Sequence, residues 1–161
     1  MSTQTPRLVA RDEGDHFHFL NHLFTAKVTA EHTDGKLTAM EFVAPKGFGP
    51  PLHRHDVEDE LFYVADGEVW FACGEDEAVH RTGAVVWLPR GLPHQFQVLS
   101  DEARVFQVST PSQFERFVAT LGRPADDAVQ PEPEDIDPEH VAAVCAQFDI
   151  AVLGPPPPPL A

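Results

Sequence analysis

Four residues in the sequence have the types and spacing of ligands for one metal ion: His53, His55, Glu60 and His94. Residues two positions apart on a strand point to the same face, so His53 and His55 can direct two imidazoles at one point. Three imidazoles and a carboxylate suit a divalent first-row metal and leave coordination positions open for other molecules. The predicted ion is Fe, Ni, Mn, Co or Zn, and this ligand set does not distinguish among them.

A turn has to separate His55 from Glu60. Glu60 lies five positions after His55, and on an unbroken strand this odd offset would place the two side chains on opposite faces. The polar stretch 56–59 is where the chain can turn. We expect Glu58 and Asp59 to be surface charges beside the site, although either could replace Glu60 if the turn has another register. The other six histidines are expected to be solvated or packed: His16, His18, His22, His32, His80 and His140.

Short apolar or alternating runs predict the strands that hold these ligands. Between Phe17 and Thr110 such runs are broken at intervals by turn residues, a pattern typical of an antiparallel sandwich or barrel. The predicted strands are 23–33, 36–43, 60–65, 68–73, 83–88, 94–99 and 103–109. Asp34-Gly35 lies between the first two and Asp66-Gly67 between the next two, so each predicts a two-residue hairpin.

Helical patterns appear only after this region. Ser109 or Thr110 can cap a first helix that has Pro111 in its first turn and stops at Gly122. The apolar face of this helix is Phe114, Phe117, Val118 and Leu121. A second helix is predicted over 138–148, and a solvated polyproline tail over 155–159. The predicted organisation is an N-terminal extension (1–15), a β-domain (16–110), helices with an acidic proline-rich linker (111–150) and a proline-rich tail (151–161).

Composition narrows the classes of partner. The chain has 161 residues, 42% of them hydrophobic, and a formal charge of -15, which disfavours binding to nucleic acid or to an anionic membrane. The longest apolar runs, 84–88 and 141–146, are too short to span a bilayer. No secretory signal is visible, so a cytoplasmic location is expected. Cys73 and Cys145 lack the spacing of a redox or metal motif and are expected to be packed thiols.

The two ligand-bearing windows resemble the two signature motifs of the cupin superfamily. In the first, Gly47 is followed at the family spacing by His53, His55, Glu60 and Gly67; in the second, Gly83 is followed by Pro89, Gly91 and His94. Val98 departs from the pattern, because the family often has Asn there. The resemblance implies an all-β fold, an antiparallel cupin jelly-roll barrel with two C-terminal helices added, and one divalent metal held by the four ligands. The short spacer 68–82 implies a single compact barrel.

A narrower resemblance connects the chain with the small bacterial cupins described as quercetin 2,3-dioxygenase-like. It rests on the segments 49–55 and 58–64 and on the end of the helical region at 153–157. The resemblance implies a dioxygenase that opens an enolisable, flavonol-like aromatic, with Glu60 both a weak ligand and the catalytic base. Candidate substrate contacts are Phe48, Phe62, Phe96 and Phe106.

Two other function classes stay open at this point. One is a redox-neutral isomerase, cyclase or lyase that uses the same metal, and the other is a small-molecule-binding cupin without turnover. The partner expected in every case is a small molecule. A homodimer is also expected, because an open sheet has edges that need cover, and the run 16–23 could pair with the sheet of a second copy.

Overall fold

The computed structural model describes residues 6–160 as two antiparallel sheets with three helices. Residues 1–5 of the N-terminal extension and residue 161 of the tail lie outside the described residues. The strands are β1 (Asp15–Phe19), β2 (His22–Val28), β3 (Thr38–Pro45), β4 (His53–His55), β5 (Asp59–Asp66), β6 (Glu68–Cys73), β7 (Asp76–Arg81), β8 (Val85–Leu88), β9 (His94–Val98), β10 (Glu102–Thr110), β11 (Arg123–Ala125) and β12 (Ile150–Val152). The helices are α1 (Ala30–Thr33), α2 (Phe114–Leu121) and α3 (Pro138–Gln147). Within residues 6–160, no helix has the length and apolar character needed to cross a membrane.

The core lies between the two sheets. The larger sheet has the strand order β11-β1-β2-β3-β10-β5-β8, and the smaller one β12-β4-β9-β6-β7. Strand alternation sends one set of side chains inward, where Phe42 of the larger sheet stacks on Phe96 of the smaller with ring centroids 5.4 Å apart. This architecture confirms the predicted all-β jelly-roll class.

Both predicted two-residue hairpins are wrong, for different reasons. Strands β2 and β3 do pair, but α1 lies between them and Asp34, at φ 52°, caps the end of that helix. Strands β5 and β6 belong to different sheets, so Asp66-Gly67 carries the chain across the sandwich. Gly67 has φ 96°, and a Cβ there would lie 2.7 Å from the Glu102 carbonyl oxygen, which only glycine avoids. Long-range pairing with β10 and β9 decides the partners of these strands.

The C-terminal region before the proline-rich tail differs from its predicted form at two places. Helix α2 presents the predicted apolar face and ends at Gly122, but Gln113 is its N-cap, because Ser109 and Thr110 are already paired in β10. The start of the linker forms β11 and pairs with β1. Strand β1 therefore has a neighbour on each side within the chain, and the expectation that 16–23 pairs with a second copy is wrong.

The proline-rich tail is docked and not solvated. Strand β12 pairs with all three residues of β4, and the segment after it runs across the outside of the smaller sheet. There the buried Gln97 amide donates to the Pro157 and Pro158 carbonyls at 3.3 and 3.2 Å, and its oxygen accepts from the Leu160 backbone N–H at 2.7 Å. Gly49 lets the Pro157 ring approach closely, since a Cβ would clash with it. One buried side chain therefore fixes the tail.

The hydrogen bonds between Gln97 and the tail, here called the Gln97 clamp, predict that Gln97 contributes more to stability than the neighbouring Gln95. Gln97→Met keeps the side-chain length and removes three hydrogen bonds, so we expect the free energy of unfolding to fall by about 1–3 kcal/mol. The matched control is Gln95→Met, because the Gln95 side-chain oxygen is buried without a partner among the described residues. Urea denaturation of both variants provides the comparison, and equal loss in the two would contradict the clamp.

Candidate metal centre

Three strands bring the four predicted ligands together. His53 and His55 lie on β4, Glu60 is the second residue of β5, and His94 is the first residue of β9. His53 and His94 are directly opposite each other in the β4–β9 pair. The turn at 56–58 carries the chain from one sheet to the other, which places Glu60 across the core from the imidazoles. The spacing of the ligands along the sequence and the alternation of side chains along each strand therefore place the four side chains close together.

Each imidazole is oriented by a hydrogen bond from its Nδ1 atom. The acceptors are the Pro51 carbonyl for His53 at 2.7 Å, the Leu92 carbonyl for His94 at 3.0 Å, and the Glu58 carboxylate for His55 at 3.0 Å. A carbonyl only accepts, so Nδ1 carries the hydrogen in His53 and His94, and the same tautomer of His55 lets its Nδ1 donate to the Glu58 carboxylate. In the neutral form of each ring, Nε2 then has a lone pair, which is the form of histidine that binds a metal.

The ligand atoms are spaced as neighbours around a single ion. Glu60 Oε2 lies 3.0 Å from His94 Nε2 and 3.5 Å from His55 Nε2, and one ligand atom from each of the four residues lies within 4.8 Å of the others. The 3.0 Å pair lacks hydrogen-bond geometry, and the buried His94 Nε2 has no hydrogen-bond partner among residues 6–160. Metal–ligand distances of about 2.0–2.2 Å would account for both observations. The four residues therefore fit a divalent metal ion.

Electrostatics keep the carboxylate ready to bind a cation. Burial opposes the charge of Glu60, but His55 and His94 outweigh it and lower the pKa of the carboxyl to about 2. Burial, reinforced by the neighbouring imidazoles, lowers the pKa of His53 to about 3. The site thus holds an ionised carboxylate beside a neutral imidazole.

Glu58 is buried, and its expected place on the surface is wrong. Its carboxylate accepts from His55 Nδ1 and from Gln113 Nε2 at 3.2 Å, and Gln113 also donates to the Phe148 carbonyl at 2.8 Å. Burial raises the pKa of Glu58. Asp59 does lie near the surface, where it pairs with Arg90 at 2.7 Å. Glu58 lies in the turn between β4 and β5, and its carboxylate orients the His55 ring through Nδ1.

Gln107 is a site residue that the sequence reasoning missed. Its buried amide donates to Glu60 Oε1 at 2.8 Å and to Ser109 Oγ at 3.2 Å. These bonds hold one carboxylate oxygen and leave Oε2 facing the imidazoles. The only available signal was alternation along β10, where Gln107 shares the inward face with Val105 and Ser109.

A narrow apolar cavity adjoins the ligands His53 and His55. Phe48, Phe62 and Phe96 line it, as do Val141 and Cys145 of α3 and Ile150 and Val152 of β12. Phe106 does not, because it alternates with Gln107 and lies on the outer face of β10; its assignment to the substrate pocket is wrong. The free volume is about 60 Å³. The C-terminal elements therefore form one wall of a tight, phenylalanine-rich space beside the ligands.

Comparisons with known proteins agree with this architecture. Residues 39–109 match the family model described as a cupin domain. The chain is 24% identical over 151 residues to a quercetin 2,3-dioxygenase of Bacillus subtilis (strain 168), covering 93% of this chain and 45% of that protein. It thus spans less than half the length of this relative.

Solved structures from two other bacteria share the fold. An RmlC-like cupin from Shewanella frigidimarina NCIMB 400 is 15% identical with a TM-score of 0.59, covering 71% of this chain and 99% of that one. A protein described as a predicted oxalate decarboxylase from Thermotoga maritima is 16% identical with a TM-score of 0.58, covering 66% of this chain and 99% of that one. At these identities the structures establish the fold alone.

The buried carboxylate behind His55 predicts a selective effect on metal affinity. Glu58→Gln removes the charge that polarises the imidazole, so we expect metal binding to weaken about 10- to 100-fold with the fold retained. Asp59→Asn is the matched control and should bind as the unmodified protein does. Chelator competition with Co²⁺ or Ni²⁺ measures both, and the His53→Ala, His94→Ala double variant supplies the reference for complete loss. Unchanged affinity in Glu58→Gln would contradict this supporting role.

Proposed function

Since the chain carries a cupin domain, we propose that it is a metal-dependent dioxygenase that opens an enolisable, flavonol-like aromatic with dioxygen. The observation that carries the proposal is that two of the four ligands, His53 and His55, lie on the wall of a largely apolar cavity that is rich in phenylalanine. The similarity to the Bacillus quercetin 2,3-dioxygenase extends along 93% of this chain and supports the same substrate class. A divalent ion held by the four ligands would supply a Lewis acid for the substrate oxygen and for dioxygen.

Glu60 is the group that takes the proton of the substrate hydroxyl. Gln107 fixes its Oε1 atom, and Oε2 lies at the centre of the cluster, where a substrate oxygen must approach. Because the carboxyl is ionised, it can accept a proton without prior activation. The phenylalanines position the flat ring and exclude water while dioxygen adds across it and the ring opens.

The small cavity sets a condition on this substrate. About 60 Å³ is far below the roughly 300 Å³ or more that drug-sized ligands occupy in their pockets. A flavonol enters only if part of the wall moves, and α3 is the part of the wall that lies outside the two sheets. The tight cavity favours a small carbonyl compound for the second candidate function, a redox-neutral isomerase, cyclase or lyase in which Glu60 moves a proton.

Oxygen uptake separates the candidate functions. We expect protein loaded with Fe, Ni, Mn or Co in turn to consume dioxygen as the flavonol absorbance of quercetin is lost, with one of these metals giving the highest rate. The His53→Ala, His94→Ala double variant is the control for metal-independent oxidation of quercetin. Conversion of a substrate without oxygen uptake would favour the redox-neutral enzyme, and binding without conversion would favour the non-catalytic module.

Glu60→Gln distinguishes a base from a simple ligand. Three imidazoles remain, so we expect this variant to keep much of its metal, while turnover falls about 100-fold or more because the amide cannot accept the proton. Metal content and rate are measured on one preparation, with Asp59→Asn as the control. If the two fall in proportion, Glu60 only helps to hold the ion; a full metal content with a near-normal rate excludes Glu60 as the base.

We propose a homodimer as well, with its interface at the other edge of the larger sheet. Strand β8 is an edge strand there, and Val85 and Trp87 on its outward face are 60% and 53% exposed. Tyr63, opposite Val85 on β5, is 40% exposed. An exposed apolar edge of this kind is a site for pairing with a second copy.

The dimer predicts a specific response to a charge on this edge. We expect light scattering to give a dimer at tens of micromolar, and Trp87→Lys to give a monomer with unchanged metal content. Leu153→Lys, at another exposed apolar position, is the matched control and should remain dimeric. A monomeric unmodified protein at this concentration removes the dimer from the proposal.

A further inference from the structure

A strained turn delivers two side chains to the cavity. Leu20 and Asn21 join β1 to β2 with φ values of 48° and 64°. Both values belong to the two-residue turn that matches strand twist, but leucine adopts this conformation at an energetic cost that the surroundings must offset. The Asn21 side chain clamps the turn by donating to the Glu134 carbonyl and accepting from the Glu134 backbone N–H, each at 2.9 Å. Leu20 and the following His22 both line the cavity.

His22 places a polar ring in the most aromatic part of the molecule. The residue is 1% exposed, and its ring centroid lies 4.0 Å from that of Phe48 and 5.0 Å from that of Phe24. Phe19 and Phe42 pack on it edge-on at 5.5 and 5.8 Å. Packing alone would be served as well by an apolar side chain, because burying an imidazole removes it from water.

The hydrogen bonding of His22 leaves one ring nitrogen for a ligand. Nδ1 donates to the Leu20 carbonyl at 3.3 Å, and the Phe19 carbonyl also lies near the ring. Burial lowers the pKa of the ring to about 3, so the imidazole is neutral and Nε2 carries a lone pair. Within residues 6–160, no protein group bonds to Nε2. It is therefore an acceptor on a buried residue that lines the cavity.

We propose that His22 Nε2 accepts a hydrogen bond from a hydroxyl group of the ligand in this cavity, and that His22 thereby selects hydroxylated aromatics over otherwise equal ones. The inference rests on the proposed function in taking this cavity as the ligand site, but not on the oxygen chemistry. Its physical basis is the cost of leaving a buried acceptor unpaired, because a site built for a hydroxyl rejects the analogue that lacks one. His22 is therefore a specificity-determining residue on the wall formed by β1 and β2.

Two small probes test the inference without a known substrate. Phenol and fluorobenzene are nearly equal in size and differ in the hydroxyl, so the ratio of their dissociation constants measures the contribution of the hydroxyl, and the His22 variants show how much of it comes from His22. We expect metal-loaded protein to prefer phenol by about 5- to 10-fold in an NMR titration. His22→Phe should abolish this preference, and His22→Gln, which keeps an acceptor, should recover part of it. His80→Phe is the matched control, since His80 lies on the edge strand β7, packs against Phe71 and does not line this cavity.

Spectroscopy separates recognition from a packing role. In protein labelled with ¹⁵N-histidine, the His22 Nε2 resonance should shift when phenol is added and stay in place when fluorobenzene is added. The inference is overturned if the protein binds both probes equally or neither, or if His22→Phe retains the preference. Failure of the dioxygenase proposal is recognised separately, because quercetin then causes no oxygen uptake while the phenol preference and its loss in His22→Phe persist.

Discussion

The structure depends on one constraint: three imidazoles and a carboxylate must meet at a buried point with their free lone pairs turned inward. Burial makes every unpaired polar atom costly, so each Nδ1 is tied to an oxygen and Glu60 Oε1 to an amide. The backbone carbonyls that hold His53 and His94 lie two residues upstream of each ligand. Local chain geometry therefore orients two of the rings, and only His55 needs the side chain of Glu58.

Strand β4 carries two of the ligands and depends on neighbouring strands for its position. Strand β4 has three residues, of which one is paired with β9, whereas all three are paired with β12. The last strand of the chain thus supports the first half of the metal site, and the Gln97 clamp on the following tail holds that strand in place. The proline-rich tail, whose composition suggests a peripheral segment, therefore helps to hold the metal site in position.

The ligand cluster could be predicted from the sequence because strand geometry is local: a spacing of two fixes a common face, whatever the partner strand is. Its support could not be predicted, since Glu58 and Gln107 meet their partners through the turn of the chain and through pairing between β5 and β10. The hairpin predictions at Asp34 and Asp66 failed for a related reason, because turn residues specify a bend and long-range pairing specifies which sheet receives the next strand. His22 carried no motif, and only its packing identifies it.

The hydrogen bonds from His55 through Glu58 and Gln113 to the Phe148 carbonyl join the ligand cluster to the end of α3, and hence to the cavity wall. In thermodynamic terms, the two ends of this chain of bonds share a coupling free energy. If the ion favours the position of Gln113 that is seen here, then any occupant that shifts the wall changes the affinity for the ion, and the ion changes the affinity for the occupant by the same factor. Binding of the metal ion and binding in the cavity are then linked through one conformational equilibrium.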